Sequence, residues 1–233
     1  MKPRIFEATL YAPLFYSSSE GRTIKTREML SATALTHALG YRYTELEKRY
    51  VLTGDETTSP DYSYLKDLPL FVSDMKPVEV RANERTFRST DYRSDRHITT
   101  NEKNIAENIN GKKSVPELLE TSGTAWQTIR NYVGIAPGSR YEFAVWTKDE
   151  IPEEPSFRMG IKQTGEFRAK ETEASEVVLN KYLLDKVYDV DDSTLNELTQ
   201  ECAKFVRGND PRLQHFVGVP IDLANEVAQE VIG

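Results

Sequence analysis

Arginines interleaved with flat rings are the side chains in this sequence most able to bind a ligand. Five guanidinium groups lie within sixteen residues, with aromatic and imidazole rings between them; the set is Arg81, Arg85, Phe87, Arg88, Tyr92, Arg93, Arg96 and His97. Guanidinium groups bind phosphates, and flat rings stack on unpaired bases, each stack contributing about 1–3 kcal/mol. These residues therefore predict a surface that follows the backbone of single-stranded RNA.

A second basic segment has the pattern of a hairpin. Residues 157–169 read as two strands around a bend at Gln163-Thr164-Gly165. The cations of this segment are Arg158, Lys162, Arg168 and Lys170. Gly160 and Gly165 provide positions where the backbone can approach a ligand closely, because glycine has no Cβ. The hairpin is therefore a second candidate for contact with phosphates.

Positive charge is confined to these two segments. The 233-residue chain has 30 basic and 37 acidic residues and a net charge of −7. Residues 81–113 and 158–170 each have a balance of +3, which leaves −13 for the remainder. Such runs can be merely solvated faces, but two runs that interleave rings and glycine favour a surface that faces phosphates.

His97 is the histidine with the best setting for catalysis. The neighbouring Arg93 and Arg96 could stabilise a phosphate while the imidazole acts as a general base on a ribose hydroxyl. The alternative, a solvent-facing histidine on a loop, is the interpretation we favour. Cys202 lies on the apolar stripe of an acidic helix and is interpreted as structural. We therefore expect no catalytic residue in this chain.

Metal and cofactor sites are not indicated by the sequence. The three histidines are far apart, without cysteines or carboxylates at metal-ligand spacing. The acidic run Asp189, Asp191 and Asp192 lacks the glycine and the spacing of a calcium loop, and we interpret it as a helix cap and turn. There is no phosphate-binding glycine-rich loop and no dinucleotide fingerprint. We expect neither a metal nor a cofactor.

The elements that must position the basic segments follow from the apolar patterns. Strands are predicted at 5–11, 70–72, 77–87, 124–133, 140–147 and in the 157–169 hairpin, and a helix is predicted from Thr26 to Leu39, ended by Gly40. Residues 89–122 have few apolar positions and predict a long protruding loop or ribbon. After Glu171, helical spacing connects Val177, Val178, Leu195, Leu198 and Phe205. This order predicts an α+β fold with an antiparallel sheet, a ferredoxin-like or RNA-recognition-type core, and C-terminal helices.

Composition places the chain among globular proteins of a reducing compartment. Hydrophobic residues make up 38% of the sequence, and no stretch approaches the roughly 20 apolar residues needed to cross a bilayer. A lone cysteine excludes an internal disulfide framework. The N-terminus has no apolar run with a cleavage site. We expect a cytoplasmic protein that does not contact a membrane.

Four segments of the chain resemble a known family. They are Glu20-Gly21-Arg22 with the Thr-Arg-Glu pattern that follows it, the helix from Leu30 to Gly40, Ile135 to Arg140, and Pro155 to Lys162. In this order, and over roughly Arg4 to Lys170, the chain resembles the small repeat-associated (RAMP) subunit of type I-D CRISPR interference complexes, the Csc1/Cas5 family. In two respects the chain departs from that pattern: the glycine-rich loop of the wider superfamily keeps only Gly160 and Gly165, and the acidic part from Glu171 to Gly233 matches little of it.

The resemblance implies a modified RNA-recognition-type fold with a protruding β-hairpin thumb, which we place at residues 81–121. It implies a non-catalytic subunit that caps the five-prime handle of the crRNA and contacts a Cas7-type backbone subunit and a Cas10-type large subunit, with target DNA reached only indirectly. The thumb arginines would follow the RNA backbone. On this reading Arg22, Gly160, Lys162 and Arg168 face the handle, and we add Lys25, Arg27 and Arg158 to the predicted RNA-binding residues.

We divide the chain into two parts. Residues 1–170 form the core and include the thumb, and residues 171–233 form an acidic helical extension that packs on the core or on a basic partner. Two other functions stay open. One is a metal-independent endoribonuclease of the same fold that uses His97 on repeat RNA, and the other is a scaffold that binds only proteins.

Overall fold

The computed structural model describes residues 2–15, 23–44, 46, 62–88, 129–160, 163–208 and 210–233. The strands of this part of the chain are β1 (Arg4–Leu10), β2 (Thr23–Lys25), β3 (Leu70–Val72), β4 (Lys76–Glu79), β5 (Ala82–Arg88), β6 (Ile129–Ile135), β7 (Arg140–Thr147), β8 (Ser156–Met159), β9 (Gly165–Thr172), β10 (Glu176–Asn180), β11 (Lys204–Val206) and β12 (His215–Pro220). Its α-helices are α1 (Ala32–Tyr43), α2 (Asp192–Glu201) and α3 (Ile221–Ile232). Short helical turns occupy Ser63–Asp67, Leu183–Val187 and Pro211–Leu213. None of the helices in these ranges is long and apolar enough to cross a membrane.

The main sheet is antiparallel and has the strand order β3-β7-β1-β9-β8, with β4 also paired to β7. Alternation along β1 directs Phe6, Ala8 and Leu10 to one face, where they are fully buried with Leu35 and Leu39 of α1. Alternation of this kind is the pattern from which the sequence predicted β1, β7 and the β8–β9 hairpin. All three predictions are confirmed.

Helix α1 begins later and ends later than its sequence pattern predicted. The predicted start at Thr26 is wrong because Leu30 pairs with Met75 in a β-bridge and residues 26–29 form no helical turn. The side chain of Ser31 accepts a hydrogen bond from the Thr33 amide and caps the helix. The predicted end is also wrong, since the helix passes through Gly40 and continues to Tyr43.

A second, smaller sheet contains the base of the predicted thumb. Strands β5 and β6 pair in antiparallel fashion from Ala82 opposite Ile135 to Arg88 opposite Ile129, and β2 runs parallel to β6. The second arm of this hairpin lies after the predicted end of the thumb at residue 121. The loop predicted at 89–122 lies outside the described residues.

The C-terminal unit, residues 173–233, combines a three-stranded sheet with helices. The order of its sheet is β10-β12-β11, and α2 and α3 accompany it. The prediction that Val177, Val178 and Phe205 lie on helices is wrong, because all three lie on strands. Val177 and Val178 are consecutive and both buried, so this strand is covered on both faces and its apolar run does not alternate. The helical prediction is confirmed for Leu195 and Leu198 on α2.

This unit covers part of the main-sheet face opposite α1. A second core joins residues of the main sheet to residues of the C-terminal unit; its members include Ile5, Phe71, Ala144, Trp146, Leu179, Leu184, Leu198, Phe216 and Val227. Trp146 also donates its indole N–H to Asn225 Oδ1 at 2.8 Å. One end of the sheet face is therefore closed to ligands, and the other end is left exposed.

The architecture is mixed α/β with a curled antiparallel sheet and few helices. The predicted combination of helices with an antiparallel sheet is therefore confirmed. Strand β7 lies between β1 and β3, which are connected through α1, so this part has the split βαβ arrangement. A full ferredoxin-like repeat has a second helix between the strands that correspond to β7 and β9. The described residues between these two strands contain β8 in that place.

Candidate nucleic-acid interface

Several of the predicted RNA-binding residues lie outside the described part of the chain. These are Arg22, Tyr92, Arg93, Arg96, His97 and Lys162. Lys25 lies on β2, and Arg85, Phe87 and Arg88 lie on β5, where the structure describes their backbone positions. The site geometry therefore rests on Arg27, Arg81, Arg158, Gly160 and Arg168.

The exposed end of the main sheet presents a surface of polar side chains, which we call the polar face. Its members are Glu7, Thr9, Tyr11, Lys76, Glu79, Arg140, Glu142, Arg158, Glu166, Arg168 and Lys170. The strand register aligns Arg140, Thr9 and Arg168 across three neighbouring strands. Directly opposed residues in antiparallel strands point to the same side of a sheet. The register thus brings Arg158 and Arg168 to the same face as Arg140.

Carboxylates accompany the cations of this surface. Arg158 Nη2 lies 2.5 Å from Glu166 Oε2, and Arg168 Nη2 lies 3.3 Å from Glu166 Oε1. At the thumb base, Arg81 Nη2 lies 2.6 Å from Glu79 Oε1. The hydrogen bond from Arg81 holds the pKa of the Glu79 carboxyl below its usual value. The described arginines of this surface are therefore paired with carboxylates.

Tyr11 is a member of this surface that the sequence pattern did not single out. The Arg168 guanidinium carbon lies 4.7 Å from the centre of the Tyr11 ring, in cation–π contact. The residue is 55% exposed, which is unusual for a large aromatic residue on a packed sheet. Tyr11 follows Glu7 and Thr9 at alternate positions, and this alternation is the signal by which the sequence could have shown that it shares their face.

Three glycines bring the end of β1, the base of the thumb and the β8–β9 turn together. A Cβ at Gly160, whose φ is +86°, would lie 2.5 Å from Leu14 Cδ1 and 2.7 Å from the Phe15 carbonyl oxygen. At Gly165 it would lie 2.7 Å from Leu14 Cδ1, and at Gly134 2.5 Å from the Leu14 carbonyl oxygen. The space that a Cβ would fill at these glycines is therefore occupied by the chain's own backbone and side chains. The close approach predicted for a ligand at Gly160 is made by Leu14 and Phe15.

Arg27 lies near an acidic residue of the C-terminal unit. It is exposed after β2, and its charge acts on Asp210 in the C-terminal unit. The hydrogen bond from Arg212, with a smaller contribution from Arg27, lowers the pKa of the Asp210 carboxyl. The structure therefore places Arg27 beside the C-terminal unit.

The candidate catalytic groups in the described residues have structural partners. His37 Nδ1 lies 2.6 Å from the Thr33 carbonyl oxygen and Nε2 contacts the Tyr64 hydroxyl, and burial lowers the pKa of this imidazole. Burial raises the pKa of the Cys202 thiol, which disfavours the reactive thiolate. Asp191 caps α2 by accepting a hydrogen bond from the Thr194 amide at 2.9 Å, which confirms the interpretation of this acidic run as a helix cap. Within the described ranges, no three histidine, cysteine or acidic side chains are grouped so that they could hold a metal ion.

Comparison with known proteins adds an independent observation. A search of curated proteins finds no match. The family model described as type I-D CRISPR-associated protein Cas5/Csc1 matches residues 1–201, which include the main sheet, the thumb base and the first half of the C-terminal unit. Since this match covers far more than half of the chain, the protein belongs to the Cas5/Csc1 family of type I-D CRISPR-associated proteins.

Proposed function

We propose that this chain is a non-catalytic subunit of a type I-D CRISPR interference complex that binds the five-prime handle of the guide RNA on its polar face. One observation carries the proposal. The fold gathers Arg158, Arg168, Arg81 and the exposed ring of Tyr11 at the end of the main sheet where the thumb strands begin. In a CRISPR-associated family, guide RNA is the polyanion that this combination fits best.

The ion pairs of the polar face are compatible with RNA binding. Arg158 and Arg168 have side chains that are 55% and 63% exposed, and exposed ion pairs typically contribute only about 0–1 kcal/mol. A phosphate can therefore replace or share the Glu166 carboxylate at little cost. Guanidinium groups keep several donors for a second anion, because each has five N–H groups in a fixed fork.

The charge of the C-terminal unit favours RNA at the opposite end of the sheet. Residues 173–233 contain twelve acidic and five basic residues, whereas residues 1–172 contain twenty-five of each. The whole net charge of −7 thus resides in the C-terminal unit. A polyanion is repelled from this unit, which is the part of the chain that we assign to contacts with the backbone and large subunits.

A cleavage assay separates the proposed binding role from an endoribonuclease. We expect the full chain to bind repeat RNA in EDTA and leave it intact, because the catalytic candidates of the described residues are held in structural contacts. The measurement is gel analysis of end-labelled RNA after incubation, with a His97→Ala variant as the matched control. RNA cleavage that is lost in His97→Ala would establish the nuclease and contradict the proposal. A chain that neither binds nor cleaves RNA would support the protein-only scaffold instead.

A further inference from the structure

Four side chains at the edge of the polar face form one connected group. Glu166 lies between Arg158 and Arg168 and engages each guanidinium with a different carboxylate oxygen, at 2.5 and 3.3 Å. Arg168 in turn stacks on Tyr11 at 4.7 Å. The Tyr11 amide donates to the Glu166 carbonyl oxygen at 2.7 Å, which fixes the end of β1 against β9. The group therefore has an anion held by two guanidiniums beside an exposed aromatic ring.

The two arginines and the tyrosine of this group can each bind a further partner. Among the residues that the structure describes, the hydrogen bonds of the Arg158 and Arg168 guanidiniums go to Glu166 alone. Both side chains are more than half exposed, while Glu166 is 26% exposed. The N–H donors that do not contact Glu166 can bind a second anion. The uncovered part of the Tyr11 ring can stack on a flat group.

We propose that Tyr11, Arg158 and Arg168 form a site for one nucleotide of single-stranded RNA. The base stacks on the Tyr11 ring, and the two phosphates that flank this nucleotide bind Arg158 and Arg168. The Glu166 carboxylate occupies the position of an anion between the two guanidiniums, so it holds them in place and lowers their affinity for phosphate. This inference rests on the proposed RNA-binding function and assigns that function to particular side chains.

The combination of groups favours a nucleotide over a peptide. An acidic peptide would use the two arginines but gains little from an exposed ring that is already covered on one side by a guanidinium. A nucleotide uses both, because every base has a flat π-face and every link carries a phosphate. The stack is tolerant of base identity, so the site supplies affinity without selecting a sequence.

The test measures binding of the full chain to a fluorescently labelled single-stranded RNA of the handle sequence at low salt. We expect Tyr11→Ser to lower the association constant by about five- to 160-fold, the range that corresponds to the loss of one stack. Tyr11→Phe is the matched control and should stay within about two-fold, since it keeps the ring. Glu166→Gln should raise affinity by about three-fold, because it removes one like charge near the bound phosphate.

The outcomes separate this site from the wider function. If wild type binds RNA and Tyr11→Ser and Glu166→Gln bind equally well, the nucleotide site is wrong while the RNA-binding function stands. If the wild-type chain binds no RNA, both are wrong. Tighter binding by Glu166→Gln cannot result from misfolding, so this variant keeps the test decisive even if Tyr11→Ser proves unstable. A complex that loses a partner protein in Tyr11→Ser, with unchanged RNA binding, would reassign the surface to protein recognition.

Discussion

Replacing both Arg158 and Arg168 with glutamate is expected to weaken RNA binding by the full chain on the order of a hundred-fold at about 50 mM salt. Each phosphate contact with single-stranded RNA contributes a slope of roughly 0.7 log units of affinity per log unit of salt. Losing two contacts at this salt therefore removes nearly two log units. The new carboxylates also lie beside Glu166, which adds repulsion to the lost attraction.

A salt titration of the association constant measures this effect, and the slope should fall by about 1.4 in the variant. The matched control is Lys186→Glu with Lys204→Glu, which changes the net charge by the same amount on the C-terminal unit. Both lysines are exposed, and both belong to the C-terminal unit and not to the polar face. If the two double variants weaken RNA binding equally, the chain responds to net charge alone, and a localised RNA surface on the polar face is contradicted.

Asp74→Ala is expected to lower the free energy of unfolding by about 3 kcal/mol. The Asp74 side chain is fully buried between β3 and β4. One carboxylate oxygen accepts from the Ala32 amide at the start of α1, and the other accepts from His215 Nδ1 on β12, both at 2.6 Å. The substitution leaves the first amide of a helix and a buried imidazole without their acceptor, and buried donors without a partner are costly.

Chemical denaturation of the full chain measures this change, with Glu226→Ala as the control. Glu226 is an exposed acidic residue within α3, so its removal should alter the free energy of unfolding by less than about 0.5 kcal/mol. Asp74 joins α1, the main sheet and the C-terminal unit, so we expect the variant to loosen all three together. A variant as stable as Glu226→Ala would show that these three parts are held together by apolar packing alone.

Local patterns predicted the strands of the main sheet but neither the ends of α1 nor the strands of the C-terminal unit. Alternation along residues 4–10 and 140–147 is enough to identify β1 and β7, because one face of each strand must be buried. The start of α1 depends on Met75 and Asp74, which are remote in sequence from Leu30 and Ala32. A window of neighbouring residues does not contain that information, so the predicted helix began too early.

The candidate site shows the same division between local and remote contacts. The pairing of Arg158 with Glu166 follows from the register of the β8–β9 hairpin and could be predicted once the turn was recognised. The contact between Tyr11 and Arg168 requires β1 and β9 to be neighbours, which the sequence alone did not indicate. Charge counts likewise could not show that Glu166 on β9 would pair with Arg158 on the adjacent strand β8.

Ultraviolet crosslinking of guide RNA in the assembled type I-D complex, followed by identification of the crosslinked peptides, tests most directly where RNA lies on this chain. We expect adducts on peptides that contain Tyr11 and on those of the β8–β9 hairpin, because these residues form the exposed end of the polar face. Adducts confined to residues 173–233, or a complex in which this chain gives no adduct, would contradict the account.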